Sequence, residues 1–175
     1  MANTSRRLGF RPKNASCARV NQIQVTSAQV ISEGDVVTYD SAGTLIIYAG
    51  TGSIAGVAAG KMFDKNAPIA TTYVLATANA DTFIDVYTDP NEVFIGELTS
   101  YALADPFTSQ TVASRFDFAG TTGVQYIDAA ASTNDDVIII GPAPDPKNGK
   151  LSIVGANAKV EFKIAPDAHA QTVYS

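Results

Sequence analysis

Turn signals divide this sequence into short segments of strand length, at intervals of roughly 8–12 residues. Segments such as "EGDVVTYD", "DTFIDVYTD" and "DDVIIIGP" are rich in β-branched and aromatic residues, which pack well on a pleated surface. In "KVEFKI", Val160, Phe162 and Ile164 alternate with polar residues, the period of a strand with one buried face. Only "LTSYALADP" has the character of a short helical turn. The sequence therefore predicts an all-β fold, a single β-barrel or β-sandwich domain.

The first fourteen residues, "MANTSRRLGFRPKN", fit neither a strand pattern nor a helix pattern. The chain of 175 residues is long enough for one domain that buries its own core, and it contains no internal repeat. We therefore predict an extended basic N-terminal arm over residues 1–20. A β-barrel or β-sandwich body follows over residues 21–175, with a short C-terminal tail. We also expect that removal of residues 1–14 leaves the body folded.

Charge is unevenly distributed along the chain. Residues 1–32 contain five of the 12 Lys and Arg and no acid, a charge of +5. The rest contains seven Lys and Arg against 17 Asp and Glu, a charge of −10. A basic arm on an acidic body is typical of a segment that binds an acidic surface on a partner or on a symmetry copy.

The arm offers a small set of contact residues for such a neighbour. Arginine suits this role because its planar guanidinium holds a carboxylate with two hydrogen bonds. An aromatic ring can fill a pocket on the neighbour, and a proline keeps the chain extended. The predicted contact residues are Arg6, Arg7, Phe10, Arg11 and Pro12.

Two other classes of partner are disfavoured. The acidic body would repel phosphate, and the arm carries a single aromatic residue, which argues against nucleic acid. No apolar run approaches the roughly 18 residues of a membrane span. The N-terminus also lacks the apolar region of a signal peptide. We predict neither a nucleic-acid partner nor a membrane partner.

The residues that usually carry catalysis are scarce. The chain has one histidine, His169, and one cysteine, Cys17, so it can form neither an internal disulfide nor a His–Cys pair that is close in sequence. No serine lies in a G-x-S-x-G motif. The glycines of "GTGSIAGVAAG" miss the spacing of a dinucleotide-binding loop and favour close strand packing or a bulge. We predict no catalytic residue, no cofactor and no metal.

Acidic residues cluster in one part of the chain, at Asp81, Asp85, Asp89 and Glu92. Two acids four residues apart on a strand are well separated, which argues against a glycosidase pair. The "DPN" sequence at residues 89–91 predicts a turn in which Asp89 accepts local backbone hydrogen bonds. We predict the same local role for the acids of "TNDDV" and "DPKNGK". A surface calcium site in such loops stays an alternative, although the spacing matches no known calcium loop.

Several sequence segments together resemble small structural proteins encoded in the head gene clusters of tailed bacteriophages. They include "GFRP" close behind a "MAN" start, "GDVV" followed by "IAGVAAG", and "DVYTDPNEVFIGEL". "VIIIGPAPDPKNG" and "KVEFKIAPDAHA" are similar to the penultimate and closing strands of that family. The sequence "KNASCARVNQ" after Pro12 departs from the family, in which a Gly-rich segment with aromatics is expected there.

The resemblance implies a capsid decoration protein, also called a cement protein. Such proteins bind the outside of an icosahedral shell, often as homotrimers, and join neighbouring major capsid proteins. The expected partners are therefore the major capsid protein and other copies of this chain, and the expected location is the exterior of the virion.

Other functional classes remain as alternatives at this point. One is a different phage component, such as a head-fibre base or a tail protein. Another is a carbohydrate-binding β-sandwich, which would ordinarily present exposed aromatics that include Trp, and the chain has none. An enzyme is the least favoured class, because of the missing catalytic motifs.

Overall fold

The computed structural model describes residues 9–14, 18, 20–25, 29–64, 67–71, 82–99, 113–144 and 158–170. Within these ranges the chain forms twelve strands and no helix. The predicted helical turn lies almost entirely outside the described residues, as do Cys17 and "DPKNGK". The strands are β1 (Arg11–Pro12), β2 (Val20–Gln24), β3 (Val36–Tyr39), β4 (Leu45–Ile47), β5 (Ile54–Asp64), β6 (Ala67–Thr71), β7 (Thr82–Tyr87), β8 (Phe94–Thr99), β9 (Arg115–Ala119), β10 (Tyr126–Asp128), β11 (Val137–Pro142) and β12 (Ala158–Ile164).

Five of these strands close into a β-barrel. The order is β8-β10-β9-β11-β12, and β12 pairs back with β8 in antiparallel register. All pairs are antiparallel except β8 with β10. In β12, Val160, Phe162 and Ile164 are buried and the residues between them are half-buried, as the alternation in the sequence predicts. The prediction of an all-β fold, a barrel or a sandwich, is thus confirmed, and five of the strands form a closed barrel.

A second sheet has the order β2-β7-β5-β3-β4, and β6 pairs with β5. An isolated parallel bridge between Val25 and Leu45 brings the two ends of this order together. A bulge interrupts the pairing of β3 with β5 at Gly56, which has a positive φ of 153°. A Cβ there would collide with the carbonyl oxygen of Tyr87. The predicted use of glycine for close strand packing is confirmed at this position.

The buried apolar residues form two clusters, and the second sheet lies between them. Adjacent residues of a strand point to opposite faces. Val36 and Val57 accordingly join the barrel residues Phe94, Phe118 and Phe162 in one core. Their neighbours along the chain, Val37 and Ala58, pack in the other core with Ile84 and Val86. One face of the second sheet therefore completes the barrel core, and the other face encloses a core of its own.

Candidate functional site

The ring of Phe10 lies inside the barrel of its own chain. Phe10 is 2% exposed, and its ring centroid is 4.9 Å from that of Phe118 and 5.1 Å from that of Phe162. Gly96 makes room for the ring, because a Cβ at that position would lie 2.5 Å from a Phe10 ring carbon. The prediction that Phe10 fills a pocket on a neighbouring subunit is therefore wrong. The apolar barrel interior of the same chain already removes the ring from water.

The residues after Phe10 are also part of the body. Arg11 and Pro12 form β1, which pairs with β8 in antiparallel register. The backbone N–H of Lys13 then donates to the carbonyl oxygen of Val93 at 2.7 Å. Pro12 has no N–H to donate, which a sheet edge tolerates. The predicted arm boundary at residue 20 is corrected accordingly: residues 9–14 belong to the folded body.

Two glycines allow the segment to cross the start of β3. Gly9 and Gly34 have φ angles of 71° and 84°, a region that favours glycine. The N–H of Phe10 donates to the Gly34 carbonyl oxygen at 2.8 Å. A Cβ on Gly9 would lie 2.7 Å from the same oxygen. The chain thus enters the body at a fixed point, where a backbone hydrogen bond and the Phe10 ring hold it.

The charged residues of the segment differ in their surroundings. Lys13 pairs with Glu161 on β12, with Nζ 2.8 Å from Oε2. Arg11 is exposed, and within the described ranges no ion pair involves it. Arg6 and Arg7 lie outside the described residues. Of the predicted contact residues, the structure therefore places Arg11 on the surface, Pro12 half-buried at the sheet edge and Phe10 in the core.

Asp35 is a buried carboxylate at the turn before β3. Its oxygens accept the backbone N–H groups of Ser32 at 2.8 Å and Gly123 at 2.7 Å. Burial raises the pKa of Asp35 to about 6, and these two hydrogen bonds oppose the shift. The carboxylate joins a loop of the second sheet to the loop between β9 and β10. Its contacts are those of a residue that holds two loops together.

A second group of acids lies at one end of the barrel. Asp117 accepts the backbone N–H groups of the loop at residues 133–135, each at 2.9 Å. Asp136 is 1% exposed and accepts the Tyr48 hydroxyl at 2.6 Å and the Phe118 N–H at 2.9 Å. The predicted local turn role of Asp136 is therefore wrong, because its partners are distant in sequence. Burial raises the pKa values of both Asp136 and Tyr48.

Among the acids near β7, the structure tests the predicted turn at Asp89. Asp85 lies on β7, and Asp89 begins a turn in which its side chain accepts the Asn91 N–H at 2.8 Å. The predicted turn at residues 89–91 is thus confirmed. Glu92 follows this turn, and burial together with the nearby Asp89 raises the pKa of its carboxyl group. Asp81 lies outside the described residues.

His169 lies in the segment after β12, where an isolated bridge joins it to Ile54. Its Nδ1 is 3.2 Å from the Ala170 carbonyl oxygen. Its Nε2 is buried and has no hydrogen-bond partner within the described part of the chain. Burial lowers the pKa of the imidazole, so the neutral form is favoured. His169 borders a cavity of about 240 Å³, together with Asn21, Tyr39 and Thr88.

The chemistry that these groups can perform is limited by their surroundings. Asp35, Asp117 and Asp136 are each engaged by backbone donors from the same chain. Among the described residues, no group of three or more His, Cys, Asp and Glu is placed to hold a metal ion. The described residues also contain no helix that could span a membrane. The most distinctive feature is therefore the anchored basic segment at residues 9–13.

Comparison with protein-family models, curated proteins and solved structures finds no match for this chain. The interpretation of the site thus depends on the residues and their geometry.

Sequence reasoning missed the anchor because a single aromatic has no periodicity. The signal that could have indicated the anchor is the order Leu8-Gly9-Phe10, with one apolar residue on each side of a glycine. Asp35 was missed for a different reason: an acid beside a turn glycine is usually solvated.

Proposed function

We propose that this protein is a non-enzymatic structural component of a virion. It binds the outer surface of an icosahedral phage capsid and cements neighbouring major capsid proteins. The observation that carries the proposal is the anchoring of the basic N-terminal segment, in which the Phe10 ring is buried in the barrel and the Phe10 N–H bonds to the Gly34 carbonyl oxygen. Because this segment is anchored in the barrel core, a force that a neighbouring subunit exerts on the segment is transmitted to the folded body.

The covalent chain limits how far the preceding arginines can lie from the anchor. Arg7 and Arg6 are two and three residues before Gly9. At up to about 3.6 Å per residue, their Cα atoms lie within about 7 and 11 Å of the Gly9 Cα. A segment whose end is already ordered loses less conformational entropy on binding. We assign Arg6, Arg7 and the exposed Arg11 to carboxylates of the major capsid protein, held by paired hydrogen bonds.

The body supports the same proposal through its composition. Charged residues make up 17% of the chain, below the roughly 25% that is usual for soluble domains. Val30 and Val124 are exposed on adjoining loops, which are linked by a hydrogen bond from the Thr122 hydroxyl to the Val30 carbonyl oxygen. Surfaces of low charge suit contacts with other copies in a homotrimer or with the shell. Because each shell carries many copies, modest individual contacts add up through avidity.

The test is co-sedimentation of the purified protein with undecorated shells of the phage that encodes it. Full-length protein is compared with a variant that lacks residues 2–8, which keeps Phe10 and β1 in place. A third variant, Arg6→Gln with Arg7→Gln, removes two charges. Its matched control, Arg115→Gln with Lys163→Gln, removes two charges from the body.

We expect saturable binding of full-length protein at a fixed ratio to the major capsid protein. Binding should weaken in the deletion and in the Arg6/Arg7 variant, and it should persist in the control. If both charge variants lose shell binding equally, the binding depends on the overall charge of the protein. That result would refute the assigned role of the two arginines. No binding by any form, while circular dichroism shows folded protein, would reject the capsid proposal and favour a tail or fibre component.

A further inference from the structure

The cavity that His169 borders lies at one end of the second sheet. Asn21 is near the start of β2, Ala55 is near the start of β5, and Thr88 directly follows the end of β7. Tyr39, which also borders the cavity, is the last residue of β3. Since β7 is antiparallel to both β2 and β5, and β3 is antiparallel to β5, all four residues are at the same end of the sheet.

The cavity adjoins the core that the second sheet encloses by itself. Ala55 belongs to that core, and Ile23 and Tyr39 pack against it. The parallel bridge between Val25 and Leu45 brings the outer strands of the sheet together, so this end of the sheet forms the mouth of a barrel-like enclosure. Such mouths are among the places where proteins bind small molecules.

The segment after β12 lies across this mouth and brings His169 to the cavity. The Ile54 N–H donates to the Ala168 carbonyl oxygen at 2.7 Å, and the Ala170 N–H donates to the Ile54 carbonyl oxygen at 2.7 Å. In the neutral imidazole, a proton on Nδ1 is donated to the Ala170 carbonyl oxygen, 3.2 Å away, which leaves Nε2 as an acceptor. This buried Nε2 has no hydrogen-bond partner in the described chain. An acceptor at the cavity wall favours a ligand that carries O–H or N–H donors.

The lining combines neutral hydrogen-bonding groups with apolar surface. The Asn21 side-chain amide donates to the Thr88 hydroxyl oxygen. The side chains of Gln22 and Tyr39 carry further donors and acceptors, and Ile23 supplies apolar surface. Among the described residues that border the cavity, none is Asp, Glu, Lys or Arg. The lining therefore has no formal charge with which to hold an ionic ligand.

We propose that this cavity binds a single neutral, hydroxyl-rich ring, either a free monosaccharide or the end unit of a glycan. Each hydroxyl of such a ring both donates and accepts, as the amides and hydroxyls of the lining require, and its C–H groups can pack on Ile23. The cavity volume is about 240 Å³. Sites for drug-sized ligands begin at about 300 Å³, so this cavity suits one ring. The proposal depends on the second sheet alone, and it stands or falls independently of capsid binding.

The test is an NMR titration of the full-length protein that follows the imidazole signals of His169. His169 is the only histidine of the chain, so these signals need no assignment between residues. The ligands are glucose, galactose, mannose and N-acetylglucosamine, each added up to about 100 mM, which is about a hundred times a Kd of 1 mM. The methyl glycoside of each sugar is titrated in parallel.

A pair of variants locates the binding site. Asn21→Ala/Thr88→Val removes both partners of one hydrogen bond, so neither group is left unpaired. The matched control, Asn91→Ala/Thr121→Val, makes the same two changes at exposed residues outside the cavity. Circular dichroism verifies that each variant is folded. The titration of wild type needs neither variant, so it tests the proposal even if one of them fails to fold.

We expect at least one sugar to shift the His169 signals saturably in wild type. The Kd should rise about tenfold to a hundredfold in the cavity variant, as expected for the loss of two hydrogen-bonding groups, and it should stay unchanged in the control. A methyl glycoside that binds as well as the free sugar would indicate the end unit of a glycan, and loss of binding on methylation would indicate a free sugar. The proposal is overturned if no sugar gives a saturable shift, or if the Kd in the cavity variant equals that in the control.

Discussion

Replacement of Phe10 by alanine tests whether residues 9–14 belong to the folded body. The ring is almost completely buried and contacts Phe118 and Phe162 at centroid distances of 4.9 and 5.1 Å. Truncation of a buried phenylalanine costs about 3–5 kcal/mol, because it removes apolar burial and leaves a cavity. If residues 9–14 were an unanchored arm, the same substitution would leave the free energy of unfolding almost unchanged. With a urea m-value near the upper end of the usual range, about 3 kcal/mol/M, the transition midpoint should fall by about 1–2 M.

The assay is urea unfolding followed by far-ultraviolet circular dichroism, with the m-value fitted for each variant. Arg11→Ala is the matched control, because Arg11 is the next residue and is exposed. Its free energy of unfolding should change by about 0.5 kcal/mol or less. If Phe10→Ala lowers the free energy of unfolding by less than about 1 kcal/mol with an unchanged m-value, the assignment of Phe10 to the core is wrong. For the same reason, we now expect deletion of residues 1–14 to destabilise the body.

Two further predictions concern charged residues. Lys159→Met should cost about 3 kcal/mol or more in urea unfolding, because it deprives the Glu97 carboxylate, 2% exposed, of a cation at 2.7 Å. Lys13→Met breaks an ion pair whose lysine is 45% exposed, so it should lower the free energy of unfolding by less than about 1 kcal/mol. Equal losses in the two variants would refute the distinction between a buried and an exposed ion pair. Asp35 should make stability fall as pH rises from about 4 to about 6. Its folded pKa is about 6 against an ordinary 3.8, so the folded state holds a proton that the unfolded state has released. The melting temperature of wild type minus that of Asp35→Asn should decline over this window, and a constant difference would contradict the buried assignment.

The strand pattern of this protein could be predicted from its sequence. The alternation in "KVEFKI" specifies which residues of β12 face the core, since neighbouring residues of a strand point to opposite sides. The turn at residues 89–91 was also predictable, because an aspartate before a proline bonds to the nearby backbone. Both signals are local, and they need no knowledge of what lies across the sheet.

The tertiary structure alone decided three features: the burial of Phe10, the inward position of Asp136 and the closure of β8 on β12. Each depends on partners far away in the chain, such as Phe162 for Phe10 and Tyr48 for Asp136. A single aromatic or a single acid has no period that could reveal such a partner. By itself the sequence determined the all-β class and the basic N-terminus on an acidic chain. Long-range packing then decided where that basic segment is attached, because only the closed barrel provides the apolar interior that holds Phe10.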